Sequence, residues 1–597
     1  MHPLRDLRQH LRSARALAGL TPSVPAALVG GVDGLLRRRA RATPDRPAVR
    51  TPERTLTFAE LDRAADRAAR LWRTQGIGRG EVVAILMENR PETLVHQFGL
   101  ARIGAAAALI NTHLQGAALA HVLRAARARA IIVDGTHAAA LDTLGAPVEV
   151  FAPHGAWLAA EPEAAPPGHR LRDLQAALAA TSGARVRGTL KGTEAVFSYL
   201  FTSGTTGLPK AAPIRHHRHL VTGAGLQGLA LWLRPRDVVF TAMPLYHASA
   251  QLVAMSTALA AGACFAFSRS FSARRFWAEA AAVDATVAIY VGEVCRYLLA
   301  APPTPNDPRQ SIHTFLGNGL RGDVWPAFQA RFGHPRVVEF YGATEGNAFL
   351  INRSGKVGSC GRPLFVGPFD GLALVRYDVD ADRHPRDARG HLIRCADDEV
   401  GELICRIGLL PTERFDGYLD AAETDAKVLT NVFRTGDRYF RTGDLLRRDA
   451  EGDYFFVDRI GDTFRWKGEN VSTQEVAEAL VGAGGAEALT VYGVLVPGRE
   501  GRAGMAAVSL RPGTPFDGAD LYQRAADALP AYARPVFVRL CGALDRTSTM
   551  KFQKNRVVRE GFGPEAEPVF VRDDAQGTYV PLDATRRAAI GDGTLRL

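Results

Sequence analysis

Residue types suited to anion chemistry gather at one point of this 597-residue chain, Thr202-Ser-Gly-Thr-Thr-Gly-Leu-Pro-Lys210. Gly204 and Gly207 let the backbone approach phosphate oxygens, Thr202, Ser203, Thr205 and Thr206 supply hydroxyl donors, and Lys210 supplies a point charge. The β-rich run Val196-Phe-Ser-Tyr-Leu-Phe201 leads directly into this loop. It is not a Walker P-loop, which would require Gly in place of Pro209 and Ser or Thr in place of Ala211. Further blocks follow at Pro244-Leu-Tyr-His247, Gly317-Asn-Gly-Leu320, Tyr341-Gly-Ala-Thr-Glu-Gly346, Thr442-Gly-Asp444 and Asp458-Arg459, and a late lysine stands at Lys551. A carboxylate such as Glu345 suits a hard cation shared with phosphate oxygens and water. Asp444, an acceptor with two oxygens, suits paired hydroxyls.

In this order the blocks resemble the signature of the adenylate-forming superfamily, which contains acyl-CoA synthetases, luciferases and peptide-synthetase adenylation domains. The likeness runs from about residue 40 to residue 575. Tyr290-Val-Gly-Glu-Val-Cys-Arg-Tyr-Leu-Leu299, Gly317-Asn-Gly-Leu-Arg321 and Gly461-Asp-Thr-Phe-Arg-Trp-Lys-Gly-Glu-Asn-Val471 narrow it to the fatty-acid transport protein / very-long-chain acyl-CoA synthetase family and its bacterial members. The resemblance implies an α/β protein, with a large multi-subdomain N-terminal domain of mixed, largely parallel sheets and a small mobile α+β C-terminal domain. The implied reaction joins a fatty acid to AMP with loss of pyrophosphate, then passes the acyl group to coenzyme A. ATP, Mg2+ and coenzyme A are the implied small molecules.

Residue by residue, the resemblance places ATP and AMP at Thr202 to Gly207, Lys210, Gly317, Asn318, Gly319, Tyr341, Gly342, Ala343, Thr344, Asp444 and Arg459. Glu345 would hold Mg2+ with Thr205 or Thr206 as its companion. His247 would position substrate in the acyl and adenylate cleft. Thr-Gly-Asp occurs twice, at Thr435 and at Thr442. Context selects Asp444 for the ribose, because Leu445-Leu446, the Glu451-Gly452 turn, Tyr454-Phe-Phe-Val457 and Arg459 follow it, while Asp437 reads as a Gly-Asp turn residue. Lys551, after Thr547-Ser-Thr-Met550, is the expected adenylation lysine in preference to Lys554. Gly461 and Asp462 are the expected hinge, and Lys467-Gly468 the loop brought to the thiol.

Elements must position these groups. Phe58, Leu61, Ala65 and Ala68/Ala69 recur at helical spacing, Glu81 to Met87 reads as a strand, and helix and strand alternate through Ile131-Ile-Val-Asp134. Beyond Asp458 a compact α+β unit is expected, with helix 473–481 and strands 489–496 and 504–510. The expected division is a basic amphipathic segment 1–30, an AMP-binding domain 31–459 and a C-terminal domain 460–597. Leu4, Leu7, Leu11 and Ala14 alternate with arginines, so residues 1–20 are expected either at an anionic membrane face or packed on the protein itself.

Composition sets the remaining bounds. With 47% hydrophobic and 23% charged residues the chain can bury a sizeable core. Its 73 Lys plus Arg against 62 Asp plus Glu give +11, scattered and without the interleaved aromatics of a nucleic-acid face. Six cysteines without a CxxC pair indicate neither a disulfide framework nor a zinc site. No run of 18 apolar residues and no signal-peptide core is present, so the expected location is cytoplasmic, with peripheral membrane contact through residues 1–20. Expected partners are a fatty acid, coenzyme A or a carrier protein's phosphopantetheine arm, and a second copy of the chain, with no nucleic acid. A fatty acyl-AMP ligase and a lipid-binding protein on a ligase fold are the competing readings; Lys210, Glu345, Asp444, Arg459 and Lys551 together weaken the second.

Overall fold

The structure is a computed structural model that describes the chain outside residues 1–29, 165–170, 189–191, 204–208, 364–370, 379–380, 409–412, 461, 468, 498, 500, 543, 545–553, 564–566, 593 and 596–597, and only the backbone of 202, 203, 469, 470 and 555. It divides into two compact units. One is the chain through Val357 together with Gly408–Val428; the other is Gly358–Ile407 together with Leu429–Leu597. The boundary expected at 460 thus falls within the second unit.

In the first unit, continuous apolar runs become strands buried on both faces, as in Val82–Leu86, where every residue is buried. A seven-stranded sheet runs in the order Leu171–Asp173, Ala156–Ala160, Ala128–Asp134, Val82–Leu86, Ala106–Leu109, Val196–Ser203, Pro209–Arg215. Its neighbours are parallel except for the final, antiparallel pair, which flanks residues 204–208 in sequence and sets Thr202 opposite Lys210. A second sheet runs Phe349–Ile351, Arg336–Gly342, Thr314–Asn318, Val287–Val291, Val238–Thr241, Cys264–Phe267, Pro47–Arg50, Thr55–Thr57. From Arg336–Gly342 to Pro47–Arg50 all neighbours are parallel, so their C-terminal ends share one edge.

Helix Phe58–Thr74 starts at a reciprocal cap between Thr57 and Glu60 and buries Leu61, Ala65, Ala68 and Trp72. It meets helices Gly31–Ala42 and Pro91–Arg102 at a buried ion cluster. Arg102 contacts Asp33 at 2.7 Å, Asp62 at 2.6 Å and Asp66 at 2.8 Å.

In the second unit, Leu372–Val375, Gly401–Arg406, Arg438–Arg448 and Tyr454–Arg459 pair antiparallel in sequence. Residues after 460 build their own sheet, Ala486–Leu495, Arg502–Leu510, Phe537–Leu540, Val569–Asp573, Thr578–Pro581, around a core that extends from Phe464 to Ile590. Helix Thr473–Leu480 and the first two of these strands lie close to where the sequence pattern puts them. The mixed α/β class is as expected. All six cysteines are free, and Cys264, Cys295, Cys360, Cys405 and Cys541 are buried. No helix among the described residues is long and apolar enough to cross a membrane. The amphipathic segment 1–20 lies outside the described residues.

Candidate functional site

The first unit brings two of the expected residues onto one tyrosine. Lys210 extends from Pro209–Arg215, pairs with Glu423, and holds its ammonium 5.7 Å from the ring centre of Tyr418. The Tyr418 hydroxyl donates to Glu345 Oε1 at 2.8 Å. Residues 413–428, although distant in sequence from both partners, are folded so that this contact is built in. The Leu419 amide donates to the Ala211 carbonyl, tying the segment to the Lys210 strand. Gly417 takes φ +68, and the Tyr418 amide donates to Thr424 Oγ1 at 2.9 Å. Asp420 caps the short helix Ala421–Asp425 by accepting from the Ala422 and Glu423 amides, which presents Glu423 to Lys210.

The loop that carries Glu345 leaves strand Arg336–Gly342 and is held by Arg218. That guanidinium donates to the carbonyls of Ala343 at 2.7 Å and Gly346 at 2.6 Å. Burial lowers its pKa, against the attraction of Asp416 and Glu345. Thr344 is half-buried on the loop, and Tyr341 and Gly342 are the last residues of the strand. On the adjacent parallel strand, Gly317 and Asn318 close Thr314–Asn318, and Gly319 follows with φ +78. His247 is half-buried on the turn before the π-helical segment Ser249–Met255, a helix type common at functional sites. Its carbonyl accepts from the Ala250 and Gln251 amides, and its ring packs edge-on against Tyr246.

In the second unit, Asp444 and Arg459 stand opposite one another on paired strands, with Arg459 Nε 3.3 Å from Asp444 Oδ1. Thr442 orients this part of the strand: its hydroxyl donates to the Leu403 carbonyl and accepts from the Asp444 amide. Glu402 accepts from the Gly443 amide at 2.9 Å, from His384 Nε2 at 2.7 Å and from Arg441. Burial alone would raise Glu402, but the hydrogen bond from His384 and the charge of Arg441 outweigh it and hold the carboxyl below its usual range. Asp437 folds onto the amides of Val432, Phe433 and Arg434, an ordinary turn.

Lys467 follows strand Phe464–Trp466, whose antiparallel pairing with Glu469–Val471 sets Trp466 opposite Glu469. Lys467 takes φ +53, the left-handed form that tight connections between antiparallel strands demand, and its ammonium lies 6.0 Å from the Trp466 ring centre. Asp462 lies 3.7 Å from Lys554 Nζ, which also donates to Thr473 Oγ1 at 3.0 Å. Thr473 in turn donates to the buried Asp458, whose pKa is raised by burial against the pull of Lys554. Lys554 is thus engaged at this junction. Gly204, Thr205, Thr206, Gly207, Gly461, Gly468 and Lys551, and the side chains of Thr202 and Ser203, lie outside the described residues.

Residues 36–405 match the family described as AMP-binding enzyme, and residues 475–551 match the AMP-binding enzyme C-terminal domain. The chain belongs to the AMP-binding enzyme family. It is 38% identical over 589 residues to the medium/long-chain-fatty-acid–CoA ligase FadD6 of Mycobacterium tuberculosis, covering 96% of this chain and 94% of that protein. It is 39% identical over 588 residues to the long-chain fatty acid transport protein 1 of Mus musculus, covering 94% and 90%. Among solved structures, the anthranilate CoA ligase AuaEII in complex with anthranoyl-AMP matches with a TM-score of 0.75 at 22% identity, covering 89% of this chain and 97% of that one. ATP-bound MatB from Rhodopseudomonas palustris matches at 0.73 and 23%, covering 89% and 98%. These likenesses show that this AMP-binding enzyme has the adenylate-forming ligase fold.

Tyr418, Glu423 and Arg218 in the first unit, and Glu402 in the second, hold the expected blocks of their own unit in place, and motif reading did not reach them. Tyr418 stands in Phe415-Asp-Gly-Tyr-Leu-Asp420, whose composition is that of any turn. Its one sequence signal is the Gly-Tyr step ahead of an aspartate able to cap a helix.

Proposed function

We propose that the protein is an AMP-forming fatty acid–CoA ligase. The observation that carries this reading is the convergence of Lys210 and Glu345 on Tyr418 beside the phosphate-loop hairpin, in a chain aligned almost end to end with a fatty-acid–CoA ligase. In the first half-reaction a carboxylate oxygen attacks the α-phosphorus of ATP, and the bond to pyrophosphate breaks. In the second, the thiol of coenzyme A attacks the acyl carbonyl, loses its proton, and AMP leaves.

Each residue has a place in this scheme. Lys210 meets the phosphates as they displace Glu423 from its ammonium. Arg218 keeps the Ala343 to Gly346 loop rigid while charge shifts beyond it. Asp444 accepts the ribose hydroxyls and Arg459 pairs with ribose or phosphate. The oxygen donors of Glu345 and of Thr205 or Thr206 are of the hard type that Mg2+ takes, and a cation there would neutralise phosphate charge. Lys551 bridges substrate carboxylate and α-phosphate, and the occupation of Lys554 by Thr473 and Asp462 supports this choice. For the second half-reaction, residues after 460 turn about Gly461 and Asp462 to bring Lys467-Gly468 to the thiol; their separate core supports that division.

The test is incubation with ATP, Mg2+, coenzyme A and a panel of fatty acids, with products identified by mass spectrometry. Acyl-CoA with equimolar AMP is expected. Acyl-AMP accumulating without thioester would transfer the reading to a carrier-protein ligase, and no turnover of any acid would overturn it. In Lys551→Ala, adenylation is expected to fall at least about 10²-fold while thioester formation from supplied acyl-AMP persists.

A further inference from the structure

One carboxyl group ties together the C-terminal ends of three neighbouring parallel strands. Glu339 lies on Arg336–Gly342 and is 3% exposed. Its Oε2 accepts from the Gly319 amide at 2.8 Å, and its Oε1 accepts from the Leu320 amide at 3.0 Å and from the Tyr290 hydroxyl. In the sheet register, Tyr290 of Val287–Val291 stands beside Gly317, and Gly317 beside Glu339. The side chain therefore joins its own strand to the turn after the second and to the side chain of the third.

The turn is also tightly enclosed. A Cβ on Gly317 would stand 2.3 Å from the Tyr290 carbonyl oxygen, and one on Gly292 only 1.7 Å from that of Gly319. Burying a carboxyl this deeply is unfavourable. It pushes Glu339 up to about 8, against the bonds from Tyr290 and the Leu320 and Gly319 amides. Its neighbours Val337 and Val338 are also buried, and they are apolar. What the carboxyl group achieves that an apolar residue would not is the orientation of two successive amides, and hence of the peptide planes of the turn at the edge where open α/β sheets bind ligands.

We propose that Glu339 is a positioning residue for nucleotide binding: through the Gly319 and Leu320 amides it holds the Gly317-Asn-Gly-Leu320 turn in the conformation that receives the nucleoside end of ATP. The phosphate end is left to Lys210 and its loop. This inference rests on the ligase reading for its choice of ligand, so the experiment separates the two.

Binding of AMP and of pyrophosphate to the full-length protein is measured by calorimetry for wild type, Glu339→Gln and Tyr290→Phe, alongside wild-type ATP–pyrophosphate exchange with fatty acids. Gln puts an NH2 where one carboxylate oxygen accepts, and Phe deletes a single donor at constant ring volume. AMP affinity is expected to fall about tenfold in Glu339→Gln and about threefold in Tyr290→Phe, with pyrophosphate affinity kept within about twofold. AMP carries the nucleoside and pyrophosphate does not, so an equal loss of both, or unchanged AMP affinity, overturns the role. If Glu339→Gln does not fold, Tyr290→Phe decides alone by the same comparison. Absence of exchange in the wild type counts against the ligase reading, while wild type that fails to bind AMP overturns the positioning role.

Discussion

Tyr418 meets Glu345 through its hydroxyl and Lys210 through its ring, so two substitutions separate the contributions. Tyr418→Phe deletes the hydrogen bond and keeps the ring; Tyr418→Leu removes both. A hydrogen bond to a charged group is worth roughly 1.5–3 kcal/mol and a cation–π contact about 0.5–2 kcal/mol. Adenylation kcat/KM is expected to fall about tenfold in Tyr418→Phe, with a higher Mg2+ requirement, and by a further factor of about three or more in Tyr418→Leu. A Phe variant as impaired as the Leu variant would assign the whole effect to the hydroxyl. At this scale the sequence is informative where chemistry depends on residue type within one short block, as for Lys210, the Gly317-Asn-Gly319 turn and Glu345. It is silent on Tyr418, Arg218, Glu402 and Glu339, because each acts through partners from 18 positions away, as for His384 and Glu402, to roughly 200, as for Lys210 and Tyr418, and no local spacing records such a pairing.

Among elements, the helices Gly31–Ala42, Phe58–Thr74 and Pro91–Arg102 converge on Arg102, whose side chain has no exposed surface. Asp33, Asp62 and Asp66 face it, and Arg37 completes the set at 3.2 Å from Asp33 and 3.5 Å from Asp66. Removing a buried member of such a cluster strands the opposing charges, so Arg102→Leu is expected to destabilise the protein by roughly 3–5 kcal/mol in urea unfolding. Arg37→Leu, at a partly exposed position, is expected to lose far less; equal losses would show that the cluster is held by Arg37 as much as by Arg102. None of this was visible in the helical periodicity, which registers apolar faces and passes over charges placed on them. The same periodicity did locate Phe58–Thr74 and the strand Val82–Leu86 to within a few residues, because one face, or both, is buried along the whole element. Strand order was not legible, since any buried apolar run can pair with any other. The π-helical segments Leu226–Leu231 and Ser249–Met255 likewise carry no signature in spacing.

Across the whole molecule, charge scattered along the sequence becomes pH dependence once the fold decides which groups lose water. His96, His216 and His219 are buried around the helices of the first unit, and burial lowers His96 to about 4, His216 to about 3 and His219 well below its ordinary value. Glu339 is displaced in the opposite sense, up to about 8 by burial. Below an unfolded pKa of about 6.5 the unfolded chain binds protons at these histidines while the folded chain does not, so each one withdraws stability as the pH falls, down to its folded pKa. Glu339 contributes stability that is complete below about 4.5 and is lost as the pH rises through about 8. Three groups act against one between pH 4.5 and 6.5, so for this set stability rises with pH there and declines gently above it. His96→Gln isolates one term, because Gln can accept the Trp72 Nε1 hydrogen bond, 3.1 Å long in the native protein, without titrating. The stability gap between wild type and His96→Gln, measured by urea unfolding from pH 7.5 to 4.5, is expected to move against the wild type by roughly 1.4 kcal/mol for each unit below pH 6.5. A gap independent of pH would mean that His96 titrates in the folded protein as it does in the unfolded chain, and that the Trp72–His96 contact opens to solvent.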